Sequence, residues 1–562
     1  MATISIVVKH QGNKYDVEVD PESTGELFKF QLYSLTGVEP ERQKILIKGG
    51  QLKDDTPMSK FGFKPGQSIM MLGTPGKADT AILSRPKEQI KFVEDMTEAE
   101  AAQQEGAIPA GLTNLGNTCY LNSTLQAFRA IPELQNALGK YEPQSTGGLL
   151  PQLDLTKQLR DLYKYMSETQ EAYVPHAFLA SLRTAFPQFA ERSRSGQGFA
   201  QQDAEEAWSQ IVTQLRQKLR VKNTPESSES SFVDKYMSGE FTSELECDEP
   251  AAREGGEKPV VSKETFLKLN CHIDANTNHL RDGIANALSE KLEKRSEVLG
   301  RDAVYTKTSK ISRLPKHLTV HFVRFFWKRE TQKKAKIMRK VSFPHELDLV
   351  EFCDDKLKGM LVPVRDKVRE VQKDEEDIER ARKRRKRNAA GEDVLDVPGG
   401  KGDKKDDKKG DKKTDGKKAG TSADGDVEMG ETYKTDAEID AERDAALLAA
   451  KKELHALISP ELAKDDGANQ SGLYELRGVV THQGASADSG HYTAYVKKSA
   501  AVDPKTGKRK EEDGKWWWFN DDKVSEVTGD KIETLAGGGE SHSALILLYR
   551  AIALPSAEGT ME

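Results

Sequence analysis

Gly111-Leu112-Thr113-Asn114-Leu115-Gly116-Asn117-Thr118-Cys119-Tyr120-Leu121-Asn122-Ser123-Thr124-Leu125-Gln126 is a glycine- and asparagine-rich loop that runs into a helix. Leu121, Leu125 and Phe128 recur at helical spacing and are predicted to form its buried face. Cys119 then stands at the helix N-terminus. Unpaired N–H groups and the positive end of the dipole lower a thiol's pKa there and can help to hold an oxyanion. A lone cysteine is more often an inert buried residue, so the reading depends on what else the chain supplies.

Working outward, residues 473–481, 491–496, 516–519 and 544–549 read as strands, with Trp208, Ile211, Val212 and Leu215 on one face of an earlier helix. Two histidines in the strand-rich part compete for the role of base. His491 follows Ser489-Gly490 and begins a strand, whereas His482 ends the strand before it. A Cys–His pair needs a third group to fix the imidazole's tautomer and orientation, and Trp516-Trp517-Trp518-Phe519 leads into Asn520-Asp521-Asp522.

These segments, in this order, resemble the cysteine and histidine boxes of the ubiquitin-specific proteases. The resemblance implies a papain-like cysteine protease domain with fingers, palm and thumb. It implies Cys119 as nucleophile, His491 as general base and Asn520 as third member, with Asp521 as runner-up and His482 in a structural part. Asn114 matches the side chain that the family uses, with the Cys119 backbone N–H, as oxyanion hole. Gln201-Gln202-Asp203-Ala204-Glu205-Glu206 resembles the family's glutamine box. Ubiquitin's tail carries arginines, so Asp203 and Glu206 are expected to bind it, together with Tyr492. Residues 314–325 and 341–344 match a palm strand pair. The implied chemistry is acyl transfer through a thioester and needs no metal or other cofactor. Many members hold their fingers with two Cys-x-x-Cys pairs; here Cys247 and Cys271 stand alone, so metal-free fingers are expected.

The first 75 residues read separately. Ile4, Ile6 and Val8 alternate, Tyr15, Val17 and Val19 alternate again after a turn, and a helix with Leu27, Phe30, Gln31 and Ser34 at helical spacing precedes strands at 44–48 and 68–72. Residues 3–73 look like a ubiquitin-like β-grasp roll, so the whole chain is α+β. Leu72-Gly73-Thr74-Pro75 replaces a processable double-glycine end, so this domain is expected to bind rather than be attached. Strand alternation turns Ile45 and Ile47 inward and Leu46, Met70 and Leu72 outward as a docking patch. A ubiquitin-like domain with zinc-free fingers points to the family's proteasome-associated branch, types 6 and 14. In that branch the domain docks on the base of the 26S proteasome's regulatory particle, and two loops, here about 328–340 and 483–489, cover the cleft until docking moves them.

The expected organisation is a ubiquitin-like domain at 1–75, a polar linker at 76–106, a catalytic domain at 107–552 and a tail at 553–562. A charged segment at about 366–435 is expected to be a disordered insertion or an exposed helix merging into one. The net charge of −6, from 85 basic and 91 acidic residues, gives no global basic field, so no nucleic-acid partner is expected. The absence of a long apolar run predicts a soluble intracellular protein without a membrane partner, cytoplasmic and nuclear. The basic run 382–387 is a weak import motif. Two rival readings share these residues: a non-catalytic ubiquitin-binding regulator of the proteasome, and a general papain-like peptidase.

Overall fold

The computed structural model describes residues 4–73, apart from 22, 37 and 48–49, and residues 96–556, apart from 104–105, 144–153, 194–197, 223–228, 329–332, 390–434, 487–488, 501–511 and 540. The chain divides into two compact units, Met1–Met96 and Thr97–Glu562. No helix among the described residues is long and apolar enough to cross a membrane.

In the first unit, strand Ile4–His10 pairs antiparallel with Asn13–Val19 and parallel with Ser68–Leu72, which in turn pairs antiparallel with Lys44–Ile47. The helix Gly25–Thr36 packs across this sheet. Its buried face is Phe28, Leu32 and Thr36, whereas Leu27 and Phe30 are 60% and 52% exposed. The helical spacing predicts the helix itself; apolar residues occupy both of its faces, and a period alone does not choose which is buried. Ile45 and Ile47 are buried, while Leu46, Met70 and Leu72 stand 45%, 50% and 48% exposed. Leu46 faces Met70 directly across the strand pair.

In the second unit a long sheet forms the palm. Its strand order is Leu269–His272, His317–Val323, Ser543–Ala551, Leu473–Ser486, Ser489–Lys497, Trp516–Asn520 and Lys523–Val527. A four-stranded sheet, Ser289–Arg295, Asp302–Arg313, Gly239–Cys247 and Val260–Phe266, makes the fingers. Cys247 packs there with Ala252, Ala303 and Tyr305, whereas Cys271 lies in the palm core, so the two sulfurs serve separate apolar clusters. The thumb is a group of helices, among them Cys119–Phe128, Leu155–Met166 and Ala204–Lys218. All ten residues of Cys119–Phe128 are buried, more than the three-residue face its spacing suggested. Phe128 stacks on Trp208, and Tyr163 Oη donates to the Leu125 carbonyl at 2.8 Å.

Two boundaries differ from expectation. The helix Glu98–Ala102, opened by a capping box at Thr97, falls in the part read as linker and belongs to the second unit; residues 74–95 lie outside the described ones. The charged insertion begins as an ordered helix, Asp355–Ala389, which packs against Asp436–Leu457 through Val364, Val368 and Leu454. Ion pairs Glu375–Lys451, Arg382–Asp444 and Arg385–Asp440, at 2.6, 2.8 and 2.7 Å, lace the hairpin. The basic run thus contributes to a fold through pairs that composition alone does not reveal. Residues 390–434 lie outside the described ones.

Candidate active site

The loop ahead of Cys119 is held by one side chain. Asn114 Oδ1 accepts from the Gly116 N–H at 2.9 Å, and from the Thr118 N–H and hydroxyl at 3.2 Å each. This is the local closure for which asparagine is suited. Gly116 and Asn117 both adopt positive φ, 90° and 55°, so the chain turns sharply and delivers Cys119 at the helix start. With Oδ1 so engaged, the Asn114 amide nitrogen is directed away from the loop, where its N–H donates to Asp521 Oδ2 at 2.9 Å.

Strand Ser489–Lys497 brings the candidate base. Its entry requires glycine: a Cβ on Gly490 would lie 2.1 Å from the Gln483 carbonyl oxygen. His491 Nε2 stands 2.5 Å from Asn520 Oδ1. An amide oxygen can only accept, so Nε2 carries the proton and Nδ1 is left as the basic nitrogen. The next residue's backbone N–H, that of Tyr492, reaches the Cys119 sulfur, which places the histidine strand against the helix Cys119–Phe128.

The thiol does not follow the helix-terminus expectation. Burial pushes it up to about 11; the backbone N–H groups of Tyr492, Tyr120 and Cys119 oppose this, and the nearby Asp521 carboxylate adds to it. A local rule about helix ends loses to the enclosure of the site. The expected consequence is a resting enzyme whose thiol is slow to alkylate. Below the thiol's pKa the neutral form dominates, so the rate of Cys119 alkylation by iodoacetamide, followed by mass spectrometry on the chain alone, should climb about tenfold per pH unit from neutrality and level off only near pH 11. A rate already flat at pH 7 would mean a preformed thiolate.

Asp521, the runner-up for the third position, is placed elsewhere: its carboxylate accepts from Asn114 and, at 2.8 Å, from Asn122 Nδ2. It occupies a tight turn with φ 53°, and its carbonyl accepts from the Leu112 N–H at 2.9 Å. A Cβ on Gly111 would lie 2.6 Å from the Asp522 carbonyl oxygen, so only glycine permits this approach. The hairpin tip that carries Asn520 is thereby fastened to the loop that carries Cys119.

Tyr492 departs from its expected role at ubiquitin's tail. Its ring is 0% exposed and packs edge-on against His482 at 4.6 Å, because strand alternation that turns His491 to the cleft turns Tyr492 to the core. His482 is itself fully buried, and burial holds it down at about 3, so it stays neutral. Asp203 caps the helix Ala204–Lys218, accepting from the Glu205 N–H at 2.9 Å. Glu206 is half-buried in that helix's first turn and acts electrostatically on Tyr120, the residue after Cys119.

Sequence reasoning passed over two residues. Asn122 is buried one turn along the helix from Cys119 and bonds Asp521; an amide one helical turn after the cysteine was the available signal, shared with the polar neighbours Ser123, Thr124 and Gln126. His542 sits 6.5 Å from the His491 ring and shares a 3.2 Å hydrogen bond with the Thr481 hydroxyl, and nothing in its own segment indicates this. Arg324, fully buried, donates to the carbonyls of Ala544, Ile337, Arg339 and Ala536 and braces that corner.

With this geometry in place, the comparisons with known proteins agree over both units. The ubiquitin carboxyl-terminal hydrolase model matches residues 110–549 and the ubiquitin family model residues 6–76. Ubiquitin carboxyl-terminal hydrolase 6 of Schizosaccharomyces pombe is 43% identical over 98% of this chain and 99% of its own length. The Arabidopsis thaliana protein of the same name is 37% identical over 98% and 99%, and ubiquitin carboxyl-terminal hydrolase 14 of Caenorhabditis elegans 32% identical over 97% and 92%. A ubiquitin-like unit, a fingers-palm-thumb unit and a Cys–His–Asn constellation therefore come together in one chain, which belongs to the ubiquitin carboxyl-terminal hydrolase family of cysteine-type deubiquitinases.

Proposed function

We propose that this chain is a proteasome-docked thiol hydrolase that cleaves the bond after ubiquitin's C-terminal glycine on conjugates, and so regulates proteasomal degradation. The observation that carries the hydrolase reading is the 2.5 Å contact between His491 Nε2 and Asn520 Oδ1, on a strand whose next N–H meets the Cys119 sulfur. Cys119 attacks the glycine carbonyl, the proton passes through His491 to the leaving lysine amine, and water then releases the thioester. The Asn114 amide and the helix-end N–H groups stabilise the oxyanion. Asp203 and Glu206 receive the tail's arginines.

Docking is assigned to Leu46, Met70 and Leu72, an apolar patch that the β-grasp core does not use. The gating loops are supported by a contact between them. Ala335 pairs with Ser486, and the buried Lys336 ammonium donates to the His482 carbonyl at 2.6 Å; residues 329–332 and 487–488 of these loops lie outside the described ones. Cytoplasmic and nuclear distribution goes with such a partner.

The test is release of a fluorophore from ubiquitin's C-terminus with and without purified, deubiquitinase-free proteasome. The wild type is expected to be slow alone and faster with proteasome. Met70→Asp should weaken binding to the proteasome about tenfold, since burying an unpaired carboxylate at an interface centre costs at least about 1.4 kcal/mol. Equal rates with and without proteasome would overturn the gating, and unchanged affinity of the variant would overturn the docking patch.

A further inference from the structure

We propose that Arg183 and Arg192, stacked on Phe199, form a subsite on the acceptor side of the cleft that favours conjugates with acidic residues beside the modified lysine. This rests on the hydrolase reading and adds a specificity to it.

Two guanidinium groups share one ring. The Arg183 and Arg192 guanidinium carbons lie 3.5 and 4.9 Å from the Phe199 centroid. The ring's negative face attracts each cation, yet the two cations repel one another, and among the described residues neither has a carboxylate within ion-pair reach. Such a cluster is a local positive field that no ion pair among the described residues neutralises.

The cluster is braced against the nucleophile's segment from two directions. Asn117 Nδ2, two residues before Cys119, donates to the Phe199 carbonyl at 2.9 Å. Arg183 Nε donates to the Phe189 carbonyl at 3.3 Å, and the Phe189 ring stacks on Tyr120, the residue after Cys119. Arg192 and Phe199 are joined by a backbone bridge, and the Ala200 N–H donates to the Glu191 carbonyl at 2.9 Å. These contacts hold the two cations beside the helix that carries the sulfur.

Charge decides which side of the scissile bond they serve. Ubiquitin's tail is basic and is assigned to Asp203 and Glu206, so a pair of arginines along its path would work against binding. Beyond the scissile bond lies the lysine of the conjugated protein, and acidic residues flanking that lysine are the complement of Arg183 and Arg192.

The experiment compares kcat/KM of the full chain on two isopeptide conjugates of ubiquitin, one with glutamates and one with glutamines flanking the lysine. The ratio between them is the readout, and fluorophore release is measured in parallel. The wild type should prefer the acidic conjugate by about two- to five-fold, the size expected of exposed charge pairs, and raised salt should erode the preference. Arg192→Gln should weaken the ratio and Arg192→Glu abolish or invert it; Arg192 is exposed and its side chain makes no hydrogen bond that the fold depends on among the described residues. Equal rates on the two conjugates with normal fluorophore release would overturn the subsite alone, as would a preference that survives Arg192→Glu. No fluorophore release at all would overturn the hydrolase reading, and the subsite with it.

Discussion

Replacing Cys119 with alanine abolishes release of a fluorophore from ubiquitin's C-terminus, with a fall in kcat of at least about 10⁴-fold, the scale seen when a covalent nucleophile is removed from a hydrolase. None of the chain's other three cysteines is placed to take over. Cys271 and Cys353 are buried in the palm core and burial pushes both thiols up to about 12. Cys247 is enclosed in the fingers, within the cluster formed with Ala252, Ala303 and Tyr305. Without the sulfur no thioester forms, and His491 alone has only water to activate, at a carbonyl it was not placed to serve. The substitution removes one buried atom and leaves the loop's hydrogen bonds to Asn114 intact, so the fold should lose no more than about 1 kcal/mol. Thermal unfolding measured alongside would show this. An inactive, folded protein that still binds ubiquitin identifies the nucleophile, whereas wild-type rates in the variant would mean that the chemistry lies elsewhere. A wild type inactive both alone and with proteasome would favour the reading as a non-catalytic regulator.

The candidate active-site segments were legible in the sequence because each carries its geometry in a few contiguous residues. Gly116 and Asn117 supply the positive φ values that a turn into a helix needs. Gly490 is required by a carbonyl that sits where its Cβ would be, and alternation along the strand then fixes which way His491 faces. The outward positions of Leu46, Met70 and Leu72 followed from the same period of two. What was not legible depends on partners far away in the chain. Asn122 and Asp521 have roles only because hairpin and loop meet, and His542 matters only because the start of strand Ser543–Ala551 returns beside Thr481 of strand Leu473–Ser486, which pairs with the histidine strand. The thiol's rise has the same origin, since the sequence shows a helix end but not the walls around it. Tyr492 was misassigned for want of applying to it the alternation that placed its neighbour. The buried face of the helix Gly25–Thr36 was not legible, because Leu27 and Phe30 are as apolar as Phe28 and Leu32.

Asp521→Ala should lower catalysis by about 10²- to 10³-fold, close to the loss from Asn114→Ala, because removing one oxyanion donor has that effect and Asp521 is what aims the donor. The carboxylate holds Asn114 through one oxygen and Asn122 through the other, at 2.9 and 2.8 Å. Its loss removes a charge-assisted bond from Asn122, whose amide keeps only the longer ones to the Leu112 and Thr113 carbonyls at 3.3 and 3.4 Å, at a cost of about 1–2 kcal/mol in stability. It also removes a negative charge that disfavours the Cys119 thiolate. The sign of that second effect separates the roles open to Asp521. A group whose only task is to hold the donor, and whose charge incidentally opposes ionisation, should give a variant in which kcat falls while Cys119 alkylation at neutral pH quickens. A third triad member, which supports the imidazole that takes up the thiol proton, should give a variant in which both rates fall. Asn520→Ala is the internal reference for that second pattern, because Asn520 is the residue that bonds His491. Parallel losses in Asp521→Ala and Asn520→Ala would return Asp521 to the triad, whereas opposite movements of catalysis and alkylation in Asp521→Ala would fix it as the positioning residue of the oxyanion side.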